Sequence, residues 1–338
     1  MEWEAYWQNL LTEKKLNYKV KELNEYEKIV LEQEPCTERI CKGIYERYDE
    51  AEEHLNAVKK NCIEMFDQIE GVYLKSGRVK KKDSLLCKVI VKRWENIEAF
   101  DNKYYDLDEF NYDKIITDLV GIRLIINYRG KWADIHRKIL NIFPLLEQRA
   151  YEERTLLEHL PGRQFQAEWP IAYYAQNDPI QEYKKEGLHV KLKAIGYRGI
   201  HYILSYQETY IELQLRTIYD EAWSECDHSY VYKKEENRSH EALVQMSKIL
   251  NRLTHLSDIL NDTMKSVYDK EGILVGEQGD EWTAFSEHIN RIDEIIGKLE
   301  ETDDIFREFR SRLVDTQEDC DETGEKRTGT GSEVSGKD

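Results

Sequence analysis

The stretch Thr209 to Arg216, TYIELQLR, alternates more cleanly than any other part of the chain. Ile211, Leu213 and Leu215 fall on one side, and Tyr210, Glu212, Gln214 and Arg216 on the other, which is the period of a strand with one face on a core. The polar side is the informative one. It sets a carboxylate, an amide and a guanidinium in one row, about 7 Å from each to the next. Such a row can hold a metal and grip a phosphate, or it can be the plain outer face of an antiparallel strand. The rest of the chain decides between the two.

With 338 residues the chain has room for two domains, or for one domain of about 200 residues with extensions. No apolar run approaches the ~18 to 20 residues needed to cross a membrane. The amino terminus, MEWEAYWQNL, lacks a basic segment followed by an apolar one, so the chain reads as soluble, unsecreted and cytoplasmic. Cysteines 36, 41, 62, 87, 226 and 320 form no CxxC pair and no ligand-like spacing with His, which points to reduced structural thiols. A net charge of -18 argues against broad, nonspecific binding to nucleic acid. A local basic site is still allowed, and one is present: between Lys75 and Arg93 eight basic residues stand against one acid, Asp83.

Taken in order, residues 1 to about 34 read as helical, and Pro35 reads as a break. A long helix is expected from about Thr37, because Ile40, Ile44, Tyr48, Ala51, Leu55, Val58, Cys62, Met65 and Ile69 fall at steps of four and three. Gly71 and Gly77 bracket a short exit. Asp83 or Ser84 then caps a helix to about Trp94, whose positive end suits phosphate, although a solvated basic loop fits the same composition. A short helix leads into a strand over Val120 to Asn127, with Asp118 at its mouth, as a site residue or as a turn cap. Trp132 to Ile142 is a helix. Residues 143 to 188, broken by Pro161, Pro170 and Pro179, read as an insertion in which Phe165 to Tyr174 could be a strand. His189 to Ala194 is a strand, and the segment Ile195 to Tyr206 turns at Gly196 and runs into another, which forms a hairpin with Thr209 onward across Gln207 and Glu208. A helix follows from Thr217 to about Tyr230. Two or three helices are expected between 235 and 313, and disorder in the acidic tail.

Basic residues near a helix start, a carboxylate at one strand mouth and a second on a neighbouring strand are what metal-assisted phosphoryl chemistry requires. The motifs carry the reading further, because the chain resembles the RelA/SpoT synthetase domain, the catalytic part of (p)ppGpp synthetases, over about residues 45 to 233. Arg78, Lys80, Ser84 and Lys88 reproduce the family's R-x-K-x(3)-S-x(3)-K spacing. Asp118 and Arg123 in DLVGIR, Lys193 and Tyr197 in KAIGYRGIH, and Glu212, Gln214 and Arg216 in IELQLRT follow in the family's order. His228, Tyr232 and Lys233 resemble the ending of small synthetases.

The resemblance implies an α+β fold, a mixed sheet flanked by helices and related to nucleotidyltransferases. It would comprise a helical extension over 1–44, the synthetase domain over 45–233, a helical extension over 234–313 and the tail 314–338. It implies transfer of the β,γ-pyrophosphate of ATP to the 3′-hydroxyl of GDP or GTP. Arg78, Lys80, Ser84, Lys88 and Arg123 would meet ATP. Asp118 and Glu212 would hold Mg²⁺, with Glu212 as metal ligand or base, while Arg216 and His228 would support catalysis. Tyr197 would stack on the acceptor base, with Lys193, Gln214 and His201 beside it. Some relatives instead pyrophosphorylate the 3′ end of tRNA as toxins, which would bring an antitoxin partner. Small synthetases commonly assemble through terminal helices, so a homo-oligomer is also implied. Two departures stand out: Gly199 replaces the family's usual Ser, and the stretch from 143 to 188 is longer than a compact small synthetase needs; the family's hydrolase domain, besides, has no counterpart upstream of residue 75.

Overall fold

The computed structural model describes residues 3–13, 35–95, 104, 106–146, 164–176, 178–231, 238–274, 290, 297 and 307. The chain divides into two compact units, Met1–Glu221 and Ala222–Asp338.

In the first unit, the alternating stretch lies within a seven-stranded mixed sheet. Its strands are β1 (Leu74–Val79), β2 (Val120–Ile126), β3 (Phe165–Gln166), β4 (Ile171–Tyr174), β5 (His189–Leu192), β6 (Gly199–Tyr206) and β7 (Thr209–Thr217). The order is β1-β2-β7-β6-β4-β5, with β3 paired to β6. The β2/β7 and β4/β5 pairs are parallel, and the other pairs are antiparallel. The β6–β7 hairpin turns on Gln207 and Glu208, whose φ angles of 49° and 60° supply the double left-handed conformation that a two-residue turn needs.

One face of the sheet is the core. Ile122 and Leu124 of β2, Tyr202 and Leu204 of β6, and Ile211 and Leu213 of β7 are all buried. Each such aliphatic side chain is worth about 1.5–3 kcal/mol relative to exposure. Helices α2 (Pro35–Phe66) and α5 (Trp132–Ile142) contribute to the same cluster. The expected stripe of α2 is confirmed at Ile40, Ile44, Tyr48, Leu55, Val58 and Cys62. The helix opens two residues earlier than expected, at Pro35, whose missing N–H costs no intrahelical bond at the first helical position, and the expected helix over 14–34 lies outside the described residues. Residues 74–79 are a correction, an edge strand in place of an exit loop. A Cβ on Gly77 would lie 2.9 Å from Ile63 Cδ1, so glycine lets β1 run close along α2.

Helix α3 (Lys82–Glu95) begins one residue before the expected cap. Helix α1 (Trp3–Glu13) reaches it through the Tyr6 hydroxyl, which donates to Asp83 Oδ1 at 2.6 Å. The short helix α4 (Tyr112–Ile115) leads towards β2, and α6 (Gln181–Lys185) lies between β4 and β5 in the chain. The described part of the segment read as an insertion is built into the sheet, since β4 lies between β6 and β5. Helix α7 (Ile218–Tyr230) starts beyond Thr217, whose Oγ1 accepts the Asp220 N–H at 3.2 Å as an N-cap.

In the second unit, helix α8 (Arg238–Leu274) is a single helix of 37 residues. Trp223 Nε1 donates to the Ser247 carbonyl at 3.0 Å, and Ser247 Oγ to Asp227 Oδ1 at 2.6 Å. The further helices expected before residue 313 and the tail 314–338 fall outside the described residues, single positions aside. Among the described residues no helix is long and apolar enough to cross a membrane.

Candidate active site

Strand register builds the open face. Arg78 of β1, Gly121 of β2, Glu212 of β7 and Ile203 of β6 form one row, and Ser76, Arg123, Gln214 and His201 form the next. Asp118 stands two residues before β2, at the end of the sheet where β1 hands over to α3.

At that end the chemistry is charge. Lys80 Nζ lies 2.8 Å from Asp118 Oδ2, and Lys88 Nζ 2.9 Å from Oδ1. Burial alone would raise the Asp118 carboxyl, but the two ammonium groups outweigh it and hold the group below the usual carboxylate range. The Lys80 backbone is pinned on both sides: its N–H donates to the Leu119 carbonyl at 2.8 Å and its carbonyl accepts the Tyr48 hydroxyl. Arg78 and Ser84 are exposed beside them, on β1 and on the first turn of α3. Two cations on one carboxylate leave an excess of positive charge, and a phosphate chain is the anion that would use it.

Further along the face the chemistry is hydrogen bonding. Glu212 Oε2 accepts Gln214 Nε2 at 3.0 Å, and Oε1 lies 3.4 Å from His201 Nδ1. Arg216 donates to Gln214 Oε1 and to the Tyr197 oxygen, both at 2.5 Å, and Tyr197 meets His201 Nε2. Burial favours the protonated Glu212, yet the His201 contact outweighs it and keeps the carboxyl below its ordinary range. Asp118 acts in the opposite sense, so the two carboxylates feel each other's charge. Burial pulls the His201 pKa down against the attraction of Glu212, and it pushes the Tyr197 phenol up to about 12 despite Arg216. Both rings are therefore neutral near pH 7. One tautomer satisfies all three groups: Nδ1–H towards Glu212, the Tyr197 O–H into Nε2, and the Arg216 N–H into the phenol oxygen.

The sequence-predicted residues divide accordingly. Lys80, Lys88 and Asp118 come together, as do Glu212, Gln214, Arg216, Tyr197 and His201. Arg123, expected at ATP, lies 2.6 Å from Glu221 Oε1, while Arg216 takes Glu221 Oε2 at 2.8 Å. Lys193 sits with its ammonium 4.9 Å from the centre of the Tyr173 ring. His228 is an exposed residue of the second unit, and Tyr232 and Lys233 are outside the described residues. Gly199 has a physical reason: its φ is +152°, and a Cβ there would press on Arg216 Cγ at 3.2 Å.

Three features escaped the sequence. Glu221 ties the β2 and β7 arginines together, and its one signal was a place in the first turn after the motif strand. Asp178 and Arg198 form a buried two-bonded pair at 2.7 and 3.0 Å. Tyr173 stands edge-on to His201 at 4.7 Å and to Tyr197 at 5.8 Å, with no signal in the pattern around it. As for a metal, no group of three or more candidate ligand side chains occurs among the described residues. Asp118 and Glu212 form a pair of oxygen donors, which fits Mg²⁺ in its usual mode of one or two carboxylates completed by substrate phosphates.

A cationic clamp on the carboxylate that precedes β2, and a second carboxylate on the neighbouring β7, are the groups that phosphoryl transfer requires. Residues 77–237, just under half of the chain, match the family model described as "Region found in RelA / SpoT proteins". Among solved structures, the chain is similar to small alarmone synthetase 1 from Bacillus subtilis, at 14% identity and TM-score 0.40, covering 66% of this chain and 94% of that one. It is also similar to smu.1046c from Streptococcus mutans UA159, at 16% identity and TM-score 0.41, covering 66% and 96%. A third is a GTP pyrophosphokinase family protein from Streptococcus pneumoniae, at 14% identity and TM-score 0.41, covering 69% and 97%. No curated protein sequence matches the chain.

Proposed function

We propose that the chain is a cytoplasmic alarmone synthetase that transfers the β,γ-pyrophosphate of ATP to the 3′-hydroxyl of GDP or GTP and releases AMP. The observation that carries this reading is the pairing, within the residues that match the RelA/SpoT model, of the Lys80–Asp118–Lys88 clamp with the hydrogen-bonded Glu212 on the neighbouring strand.

On this reading the ATP phosphates take over Lys80 and Lys88 from Asp118, and Arg78 and Ser84 join them from β1 and α3. Asp118 and Glu212 would hold Mg²⁺, which when bound neutralises charge on the transferring group. Tyr197 and Lys193 take the base and phosphates of the acceptor. Glu212, kept ionised, orients the 3′-hydroxyl and accepts its proton as the oxygen attacks the β-phosphorus. The bond from that phosphorus to the α,β-bridging oxygen breaks, and its electron pair leaves on that oxygen with AMP.

The test is incubation with γ-³²P-ATP and Mg²⁺, with GDP, GTP or deacylated tRNA supplied separately and the Glu212→Gln variant beside each. Label in a guanosine product, absent in the variant, is the expected result. Label in tRNA alone would replace this reading with the toxin type.

A further inference from the structure

The segment over 165–178 brings to the open face a tyrosine that none of the motifs contains. Tyr173 on β4 pairs with Gly199 of β6 and with Lys191 of β5, which places it at the mouth of the Lys193–Arg198 loop. Its ring faces the Lys193 ammonium at 4.9 Å, and it stands edge-on to His201, with the rings inclined at 79°. The loop is tied at both ends. The Lys193 N–H donates to the Tyr174 carbonyl at 2.8 Å, and Arg198 is locked onto Asp178. The backbone of the loop is thus set by those bonds, and the Tyr173 ring stands against the Lys193 ammonium at the loop's start.

We propose that Tyr173 is a positioning residue for the acceptor: its π face aims the Lys193 ammonium at the acceptor's phosphates while its edge steadies the His201 imidazole behind Glu212. The inference rests on the proposed function, and it names a side chain that touches both the lysine assigned to the acceptor's phosphates and the histidine beside Glu212. A cation held over a ring keeps its charge and its donors, so it is aimed without being neutralised. An aliphatic side chain would fill part of the same space and lose the aim, whereas phenylalanine would keep it.

The test compares the full chain with its Tyr173→Phe and Tyr173→Leu variants. KM is measured for acceptor and for ATP, and GDP binding by calorimetry. Tyr173→Phe keeps the ring and should stay within about two-fold of the parent. Tyr173→Leu should raise the acceptor KM and the GDP Kd by about three- to thirty-fold and lower kcat through the loosened His201, with the ATP KM little changed. In a Lys193→Met background the same Leu substitution should add nothing to the Kd. Equal losses in Phe and Leu, a parallel rise in the ATP KM, or a full additional effect in the Lys193→Met background would overturn the proposal. A parent chain that binds GDP without transferring pyrophosphate would sink the proposed function and leave the binding comparison to decide on Tyr173. A parent that binds no guanosine nucleotide would sink both.

Discussion

The two ends of the open face are built from different materials. Around Asp118 the groups are two ammonium ions on flexible stems, each held by one charged contact of 2.8 or 2.9 Å. Around Glu212 they are planar groups, an amide, a guanidinium, an imidazole and a phenol, each fixed by more than one neighbour. Lysines exchange partners readily, so a more highly charged anion can take them from a single carboxylate. A network of planar donors does not rearrange so cheaply, and it keeps its aim whether or not a substrate is present. On the proposed function, the site is adaptable where a polyphosphate would enter and preorganised where a hydroxyl would be directed.

The largest expected effect is at the preorganised end. Glu212→Gln keeps the shape and removes the charge, so turnover should fall about 10²- to 10⁴-fold while the urea midpoint stays close to the parent's. Retained turnover would mean that this end does no proton chemistry, and the contrast would collapse. Next comes Lys88→Met. Loss of a charged hydrogen bond of about 1.5–3 kcal/mol should raise the ATP KM by about ten-fold or more and leave the acceptor KM unmoved. A matching rise for the acceptor would show that the two ends are not separate. Gly199→Ser puts a Cβ where φ is +152° and Arg216 is 3.2 Å away. It should cost about 1 kcal/mol or more in urea and weaken acceptor binding more than ATP binding. The smallest effect is an acid one beneath the acceptor end.

There His136 packs on Tyr202 of β6, with Nδ1 3.0 Å from the phenol oxygen, and burial lowers its pKa. Glu186 pulls the other way, and Arg137 works with burial. The folded protein thus holds His136 neutral while the unfolded chain binds a proton below about pH 6.5. This contribution to stability is complete above that pH and is lost as pH falls towards the folded pKa. His136→Gln should flatten the dependence of the urea midpoint in that window, and an unchanged slope would count against the assignment.

What the sequence disclosed follows from range. β7 was legible because one face of a period-two strand is buried, and α2 because its stripe at Ile40, Ile44, Tyr48 and Leu55 is continuous. The bounds Trp132–Ile142 of α5 matched the expectation. β1 was not legible, because LKSGRV has no apolar alternation; pairing with β2 and the fit of Gly77 against α2 make it a strand. β3 and β4, of two and four residues, fall at the two ends of the stretch Phe165 to Tyr174 read as one possible strand, and what the pattern did not show was the split and their places in the sheet. In the site, the motif residues were visible because local spacing carries them. Their partners were not: Arg123 meets Glu221 across 98 positions, and Arg198 meets Asp178 across 20. No one-dimensional pattern encodes such pairs.

The central claim is that the clamp and the carboxylate cooperate to move a pyrophosphate rather than a single phosphate. It is tested most directly by identifying both products formed from ATP, GDP and Mg²⁺, by mass and by ³¹P NMR. The account predicts AMP together with a guanosine 5′-diphosphate carrying a second diphosphate on its 3′-oxygen, in equal amounts. ADP with GTP, or inorganic phosphate with unchanged GDP, would contradict it.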